Sequence, residues 1–178
     1  MKPDLAVRLF QVEENYMFRS LYYLVFFCLI SSATAEPQTI SGKAIKVLAG
    51  DLIVFQDEAK KKYTVRLEGI DAPEKGQEFG QRASQKLDSL LSLSDHQVEI
   101  VYEHKDRNGH LIAKVYPYPK EEQTVSYNKI LVETGYAWAY RKYSMHYVND
   151  EEVARKQKKG LWAKSDAMAP WDWRKQKK

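Results

Sequence analysis

Arg66-Leu67-Glu68-Gly69-Ile70-Asp71-Ala72-Pro73-Glu74 runs from an alternating strand into a proline turn that carries two carboxylates three residues apart. Tyr63, Val65 and Leu67 alternate with Thr64, Arg66 and Glu68. That period of two marks a strand with one buried face, so Arg66 projects from a rigid element toward the face opposite the core. Pro73 fixes the turn, and Ala72 before it is driven to extended geometry. With Gly50-Asp51 upstream, the stretch gathers three acids and one arginine, the side chains a metal-assisted phosphodiesterase needs. A surface ion-pair cluster is the plain alternative for Arg66, Asp71 and Glu74 taken alone.

Outward from this stretch the pattern is strands first, then helices. Ile40 to Leu48 alternates, Ala49-Gly50-Asp51 turns, and Leu52 to Phe55 answers as a hairpin. The third strand covers Tyr63 to Ile70. Phe79, Ala83, Leu87, Leu90 and Leu91 recur at helical spacing over 79–93. Val98 to Tyr102 and Leu111 to Tyr116 are strands four and five, joined across Lys105-Asp106-Arg107-Asn108-Gly109. Ser126 is an N-cap for a helix over 127–134 closed by Gly135, and a last helix runs from Asn149 or Asp150 to Gly160. Five strands with a helix after the third, then helices at the end, predict an α+β chain: a five-stranded Greek-key β-barrel of the OB type with three helices.

The first 35 residues read as an address. Leu21 to Ile30 is an unbroken apolar run behind Arg19, followed by Ser31-Ser32-Ala33-Thr34-Ala35. Ten apolar residues fall short of the roughly 20 that span a bilayer, and the flanks are those of a secretory signal peptide cleaved after Ala35. Met17 is a candidate start, because Asp4, Glu13 and Glu14 are out of place in a leader's first region. The mature domain, 36–178, then has no cysteine and no membrane span, and is secreted or periplasmic. Removing the leader takes three bases and three acids, so the net charge stays at +4, compatible with a polyanionic partner. Arg174-Lys175 and Lys177-Lys178 read as a basic, frayed tail.

The order Gly50-Asp51, Arg66-Leu67-x-Gly69-Ile70-Asp71-Ala72-Pro73-Glu74, Asp106-Arg107-x-Gly109, Asn128-x-x-Leu131-Val132-x-x-Gly135-x-Ala137-Trp138-x-Tyr140, Gly160-Leu161-Trp162 and Pro170-Trp171-x-Trp173-Arg174 resembles the staphylococcal nuclease (thermonuclease) family across the whole mature chain. The resemblance implies an OB-fold, Ca2+-dependent endonuclease that cleaves DNA and RNA to products ending in 3'-phosphates. Asp51 and Asp71 match its metal-binding carboxylates, and Ala72 the position that offers a backbone carbonyl to the metal. Glu74 matches the proposed general base and Arg66 one of two phosphate-binding arginines. The second arginine follows the Asp-x-x-Gly turn in the family, and here His110 stands in its place.

An imidazolium can still donate to a phosphate oxygen or protonate a leaving alkoxide, but it has fewer donors than a guanidinium and is ordinarily charged only below about pH 6.5, so His110 is a catalytic candidate expected to alter activity. Arg107 lies one residue off and, on an alternating strand, points to the other face; it remains a substrate-binding candidate. Oxygen donors such as Asp51 and Asp71 suit Ca2+, or less well Mg2+, whereas His96, His104, His110 and His146 show no zinc-ligand spacing. Trp138 and Trp162 read as core, while Tyr140 and Tyr143, after the Gly135 turn on a basic segment, are candidates to contact a base or phosphate. Two readings follow: a secreted metal-dependent nuclease acting as a monomer, or a catalytically weak or inactive OB module that binds nucleic acid or protein.

Overall fold

A computed structural model describes residues 36–177; the expected leader and the Met17 start lie outside them. Strands β1 (Gln38–Ala49), β2 (Leu52–Asp57), β3 (Lys62–Leu67), β5 (Gln97–Lys105) and β6 (Leu111–Pro117) close into one barrel in the order β1-β2-β3-β6-β5, with β1 also paired to β5. All pairings are antiparallel except β3 with β6, which is parallel and aligns Arg66 with Ile112. Two short strands, β4 (Ile70–Asp71) and β7 (Trp138–Ala139), pair outside the barrel. Helix α1 (Gly80–Ser92) follows β4, α2 (Tyr127–Glu133) and α3 (Val148–Lys156) flank β7, and α4 (Pro170–Gln176) ends the described chain after a 3-10 turn at Gly160–Ala163.

The alternation that predicts the strands sorts their side chains. Ile53, Phe55, Val65, Leu67, Val98, Ile100, Leu111, Ala113 and Val115 fill the barrel, each at most 1% exposed. Ala83, Leu87, Leu90 and Leu91 of α1 are buried with them, at the i, i+4, i+7 and i+8 spacing of one helical face. Ser126 caps α2 by accepting the Lys129 amide. A second, smaller core forms around Trp138 and Trp162, whose rings meet edge to face at 4.4 Å, with Leu161 and Ala169; the Arg155 guanidinium lies 3.6 Å from the Trp162 ring centre.

Two features depart from the sequence reading. The third strand ends at Leu67, not Ile70, because Gly69 takes a left-handed backbone (φ +71°) that turns the chain out of the barrel into β4. Four helices, not three, occupy the described residues: Pro170 opens α4 at its first turn, and the expected tail is this helix as far as Gln176. Lys175 and Lys177 are exposed. Arg174 is half-buried, as is Trp171, one helical turn before it. Among the described residues no helix is long and apolar enough to cross a membrane.

Candidate active site

Three short-range devices bring the acids together. Gly50 lets the β1–β2 turn lie against α1 and the proline turn, since a Cβ there would come within 2.8 Å of the Ala83 and Ala72 side chains. The Asp51 carbonyl accepts the Leu67 amide at 2.9 Å, which sets Asp51 beside β3. Asp71 is fixed by its β4 pairing with Trp138, and β7 is held in turn by buried Glu151, whose carboxylate accepts the Ala139 amide and the Arg155 side chain, both at 2.7 Å.

Asn128 completes the scaffold. Fully buried, it donates to the carbonyls of Glu68 (3.0 Å) and Ala113 (3.1 Å) and accepts the Val115 amide (3.0 Å), so it ties the end of β3 to β6. Gln77 does the same for the proline turn. Its carbonyl accepts the Glu74 amide at 3.1 Å, and its amide donates to the Met168 carbonyl at 2.7 Å, just before α4.

On this frame Asp51, Arg66, Asp71 and Glu74 meet. One nitrogen of Arg66, Nη2, donates to Asp51 Oδ2 (2.9 Å) and Asp71 Oδ1 (3.2 Å), as expected for a side chain on the face opposite Val65 and Leu67. Arg174, which sequence reasoning left in a tail, enters from α4. It donates from Nη2 to Asp71 Oδ2 (2.6 Å) and from Nη1 to Asp71 Oδ1 (3.1 Å) and Glu74 Oε1 (2.6 Å). The cluster is therefore three carboxylates and two guanidiniums in one continuous network. Of the three residues of the ion-pair alternative, Asp71 is buried while Arg66 and Glu74 are partly exposed, and the ion pairs extend inward to buried Asp51.

Burial sets the electrostatics. It pushes the Asp51 carboxyl up to about 6; Arg66 and the Ala72 amide oppose the rise, and Asp71 and Glu74 add to it. Burial also raises Asp71, against the hydrogen bonds and charge of Arg174 and the charge of Arg66. The Asp71 hydrogen bond holds Arg174 still more firmly protonated than an ordinary arginine. With all three carboxylates ionised, the two guanidiniums leave one excess negative charge in the cluster, with Asp51 and Asp71 buried. Its donors are carboxylate oxygens, with buried Ala72 beside them, and this hard, anionic set fits a divalent cation such as Ca2+ that takes few protein ligands and completes its shell with water. Among the described residues no three His, Cys, Asp or Glu side chains are placed to hold a metal ion by themselves.

The remaining candidates lie elsewhere. His110 ends the hairpin loop, two residues before the Ile112 that pairs with Arg66, and its Nδ1 contacts Asp106 Oδ2 at 2.9 Å within its own turn. Burial opposes, yet the amides of His110 and Asn108 together with the His110 ring hold the Asp106 carboxyl below the usual range. Arg107 is exposed at the tip of that turn. Strand alternation does not govern its direction, because β5 ends at Lys105 and 106–110 is a hairpin loop with Gly109 at φ +81°. Tyr140 is half-buried, its ring stacked on Trp171 at 5.4 Å and 10° and edge-on to exposed Tyr143 at 4.9 Å. Neither tyrosine is among the residues bonded to the acid cluster.

The signal for Arg174 was present. Pro170 is the helix-opening residue, and Trp171 and Arg174, spaced i and i+3, share one face of α4. Trp171 is drawn into the Trp138 cluster at 5.5 Å, which turns Arg174 toward β4.

The staphylococcal nuclease homologue family model matches residues 64–164. The chain is 35% identical over 140 residues to an uncharacterized endonuclease of Escherichia coli, covering 78% of this chain and 87% of that protein. It is 38% identical over 147 residues to the micrococcal nuclease of Shigella flexneri, covering 77% and 82%. With an uncharacterized endonuclease of Haemophilus influenzae it shares 34% over 157 residues, covering 87% and 83%. The chain belongs to the staphylococcal nuclease family.

Proposed function

We propose that this member of the staphylococcal nuclease family is a divalent-cation-dependent endonuclease that hydrolyses phosphodiester bonds of DNA and RNA to products ending in 3'-phosphates. The observation that carries the reading is the convergence of buried Asp51 and Asp71 with half-exposed Glu74 and Arg66 in one cluster on a barrel of the OB type. The names of the relatives, endonuclease and micrococcal nuclease, support the same reaction class.

Asp51 and Asp71, with the Ala72 carbonyl, would hold Ca2+, or less well Mg2+, which when bound polarises the phosphate and orients a water. Glu74 takes a proton from the attacking water as its oxygen bonds to phosphorus. The bond from phosphorus to the 5' oxygen breaks, and that oxygen leaves as a hydroxyl after taking a proton from solvent. Arg66 donates to the non-bridging oxygens, where charge accumulates. Tyr140 and Tyr143 offer aromatic faces on which an unpaired base can stack.

A second reading has its own observation. Glu74 Oε1 is occupied by Arg174, and a site that stayed so would bind nucleic acid without turning it over. Incubating the purified protein with denatured DNA or RNA in Ca2+ and in EDTA separates the two. Cleavage that requires Ca2+ and leaves 3'-phosphate ends supports the enzyme; retardation of the nucleic acid without cleavage supports the binding module. The leader argues for a secreted or periplasmic protein, and mass spectrometry of exported material should find Glu36 at the N-terminus. A mature terminus upstream of Leu21 would remove that argument.

A further inference from the structure

Of the residues in the Asp106–His110 turn none is bonded to the acid cluster, and α4 brings a guanidinium to it. We propose that Arg174 is the second phosphate-binding cation of this site, released from Asp71 when a divalent cation takes that carboxylate. The inference rests on the phosphodiesterase reading above and deepens it.

Four observations support it. Of the described cationic side chains, Arg66 and Arg174 are the two bonded to the acid cluster. His110 instead spends a ring nitrogen on Asp106 in its own loop, and Arg107 is exposed at the loop's tip. Both oxygens of Asp71 are held by the Arg174 fork, and Oδ1 also accepts Arg66, so an ion that ligates Asp71 competes with the guanidinium for its lone pairs. A displaced guanidinium cannot go far, because Trp171 stacks α4 on Tyr140 and Gln77 links the Glu74 turn to Met168 at the approach to α4.

The chemistry of the exchange is matched. A guanidinium presents two parallel N–H donors that fit a carboxylate and a phosphate equally well. The side chain is 37% exposed, so one side is open to a ligand from solvent. In the metal-free arrangement the same group covers the Glu74 oxygen that would accept a proton from water. A cation held at Asp71 would draw the guanidinium off, leaving the Glu74 oxygen free and Arg174 available to a phosphate.

The test pairs Ca2+ titration by calorimetry with cleavage kinetics on denatured DNA, using full-length protein and its Arg174→Gln, Arg174→Lys and His110→Gln variants, with folding checked by thermal melting. Arg174→Gln removes a positive charge that competes for Asp71. It should bind Ca2+ about fivefold more tightly, because an unlike charge is no longer displaced, while kcat/KM falls about 10²–10³-fold for want of the phosphate contact. Opposite movements of the two readouts are the signature, since a merely structural role would lower both. Arg174→Lys keeps the charge without the fork and should cleave at least tenfold more slowly. His110→Gln should cost at least about tenfold less in kcat/KM than Arg174→Gln.

Full activity in Arg174→Lys, an unchanged rate in Arg174→Gln, or joint loss of Ca2+ binding and rate in a folded Arg174→Gln would each overturn the proposal. So would a His110→Gln variant that carries the whole loss. A wild-type protein that binds Ca2+ and cleaves nothing overturns the phosphodiesterase reading itself, and with it this inference. A cleaving wild type with an indifferent Arg174 overturns the inference alone.

Discussion

Arg174 holds both carboxylate oxygens of Asp71, at 2.6 and 3.1 Å, across 103 residues of chain. A bidentate guanidinium–carboxylate contact is the strong form of such a pair, and here it joins α4 to the two-residue strand β4. The contact requires the barrel, the β4–β7 pair and the second aromatic core at once. The site is accordingly a property of the whole described chain and not of the motif from Arg66 to Glu74.

Asp71→Ala and Glu74→Gln should separate metal binding from turnover. Asp71 is buried and meets both arginines, so its loss should weaken Ca2+ binding and abolish Ca2+-dependent cleavage. Glu74 is half-exposed and is read as a base acting on water. Its amide variant should lose about 10²–10⁴-fold in kcat with Ca2+ affinity changed only a few-fold. Calorimetric titration beside single-turnover kinetics makes the comparison. Equal loss of metal in both variants, with no separate rate effect, would show the roles to be wrongly divided.

Asn128→Ala should be among the most destabilising polar substitutions in the barrel. It deletes three hydrogen bonds of a side chain with no exposure and leaves the Val115 amide without that partner. Buried groups left unpaired cost about 1–3 kcal/mol each, so a loss on the order of 3 kcal/mol is expected. For a domain of this size that lowers Tm by about 10 °C. A change under 2 °C would mean that water or a backbone shift replaces the amide.

The barrel was legible because short apolar runs bounded by turn residues mark its strands and alternation marks Val65 and Leu67 as inward; within Leu52-Ile53-Val54-Phe55 the apolar run is continuous, and only the fold picks out Ile53 and Phe55. The acid cluster was legible too, since proline and glycine fix the turns on which Asp51, Asp71 and Glu74 stand. Two things were not. Gly69 was read within a continuous strand, because alternation carries through it even though its left-handed backbone ends the ladder. Arg174 was read with the terminal lysines, because charge density near a chain end resembles a solvated tail; the packing of Trp171 onto Tyr140 is a tertiary contact with no period to announce it. His110 drew attention as a substitution in a motif, while the residue that meets the acids lay at the other end of the chain.

The Asp51 carboxyl makes a pH-dependent claim about the metal-free protein. Its folded value is raised to about 6 by burial first, so the folded protein keeps a proton there that the unfolded chain has already lost. Its contribution to stability is fully present below the ordinary carboxylate range and is lost as pH rises to about 6, after which it is constant. Asp51→Asn carries no such charge. In EDTA, its stability relative to wild type should improve between pH 4 and pH 7.5 by up to about 3 kcal/mol. Urea unfolding at the two pH values measures this, and a relative stability that falls with pH would mean that Arg66 outweighs burial.

Trp171→Ala tests whether α4 is held in place for the sake of Arg174. The ring stacks on Tyr140 at 5.4 Å and meets Trp138 edge-on at 5.5 Å, and it stands one turn before Arg174 on the same helical face. Removing it loosens α4 without touching the acids. Stability should fall by about 2 kcal/mol, less than a fully buried tryptophan would cost because the ring is half-exposed, and kcat should fall about tenfold as the guanidinium loses its fixed approach. Trp171→Phe, which keeps an aromatic face, should recover most of the rate. The decisive comparison is the double variant. If Trp171 acts through Arg174, adding Trp171→Ala to Arg174→Gln should cost little further activity, a coupling that a double-mutant cycle reads directly. Simple addition of the two losses would instead make the Trp171–Tyr140 stack an independent contributor, for example as a surface on which a substrate base rests.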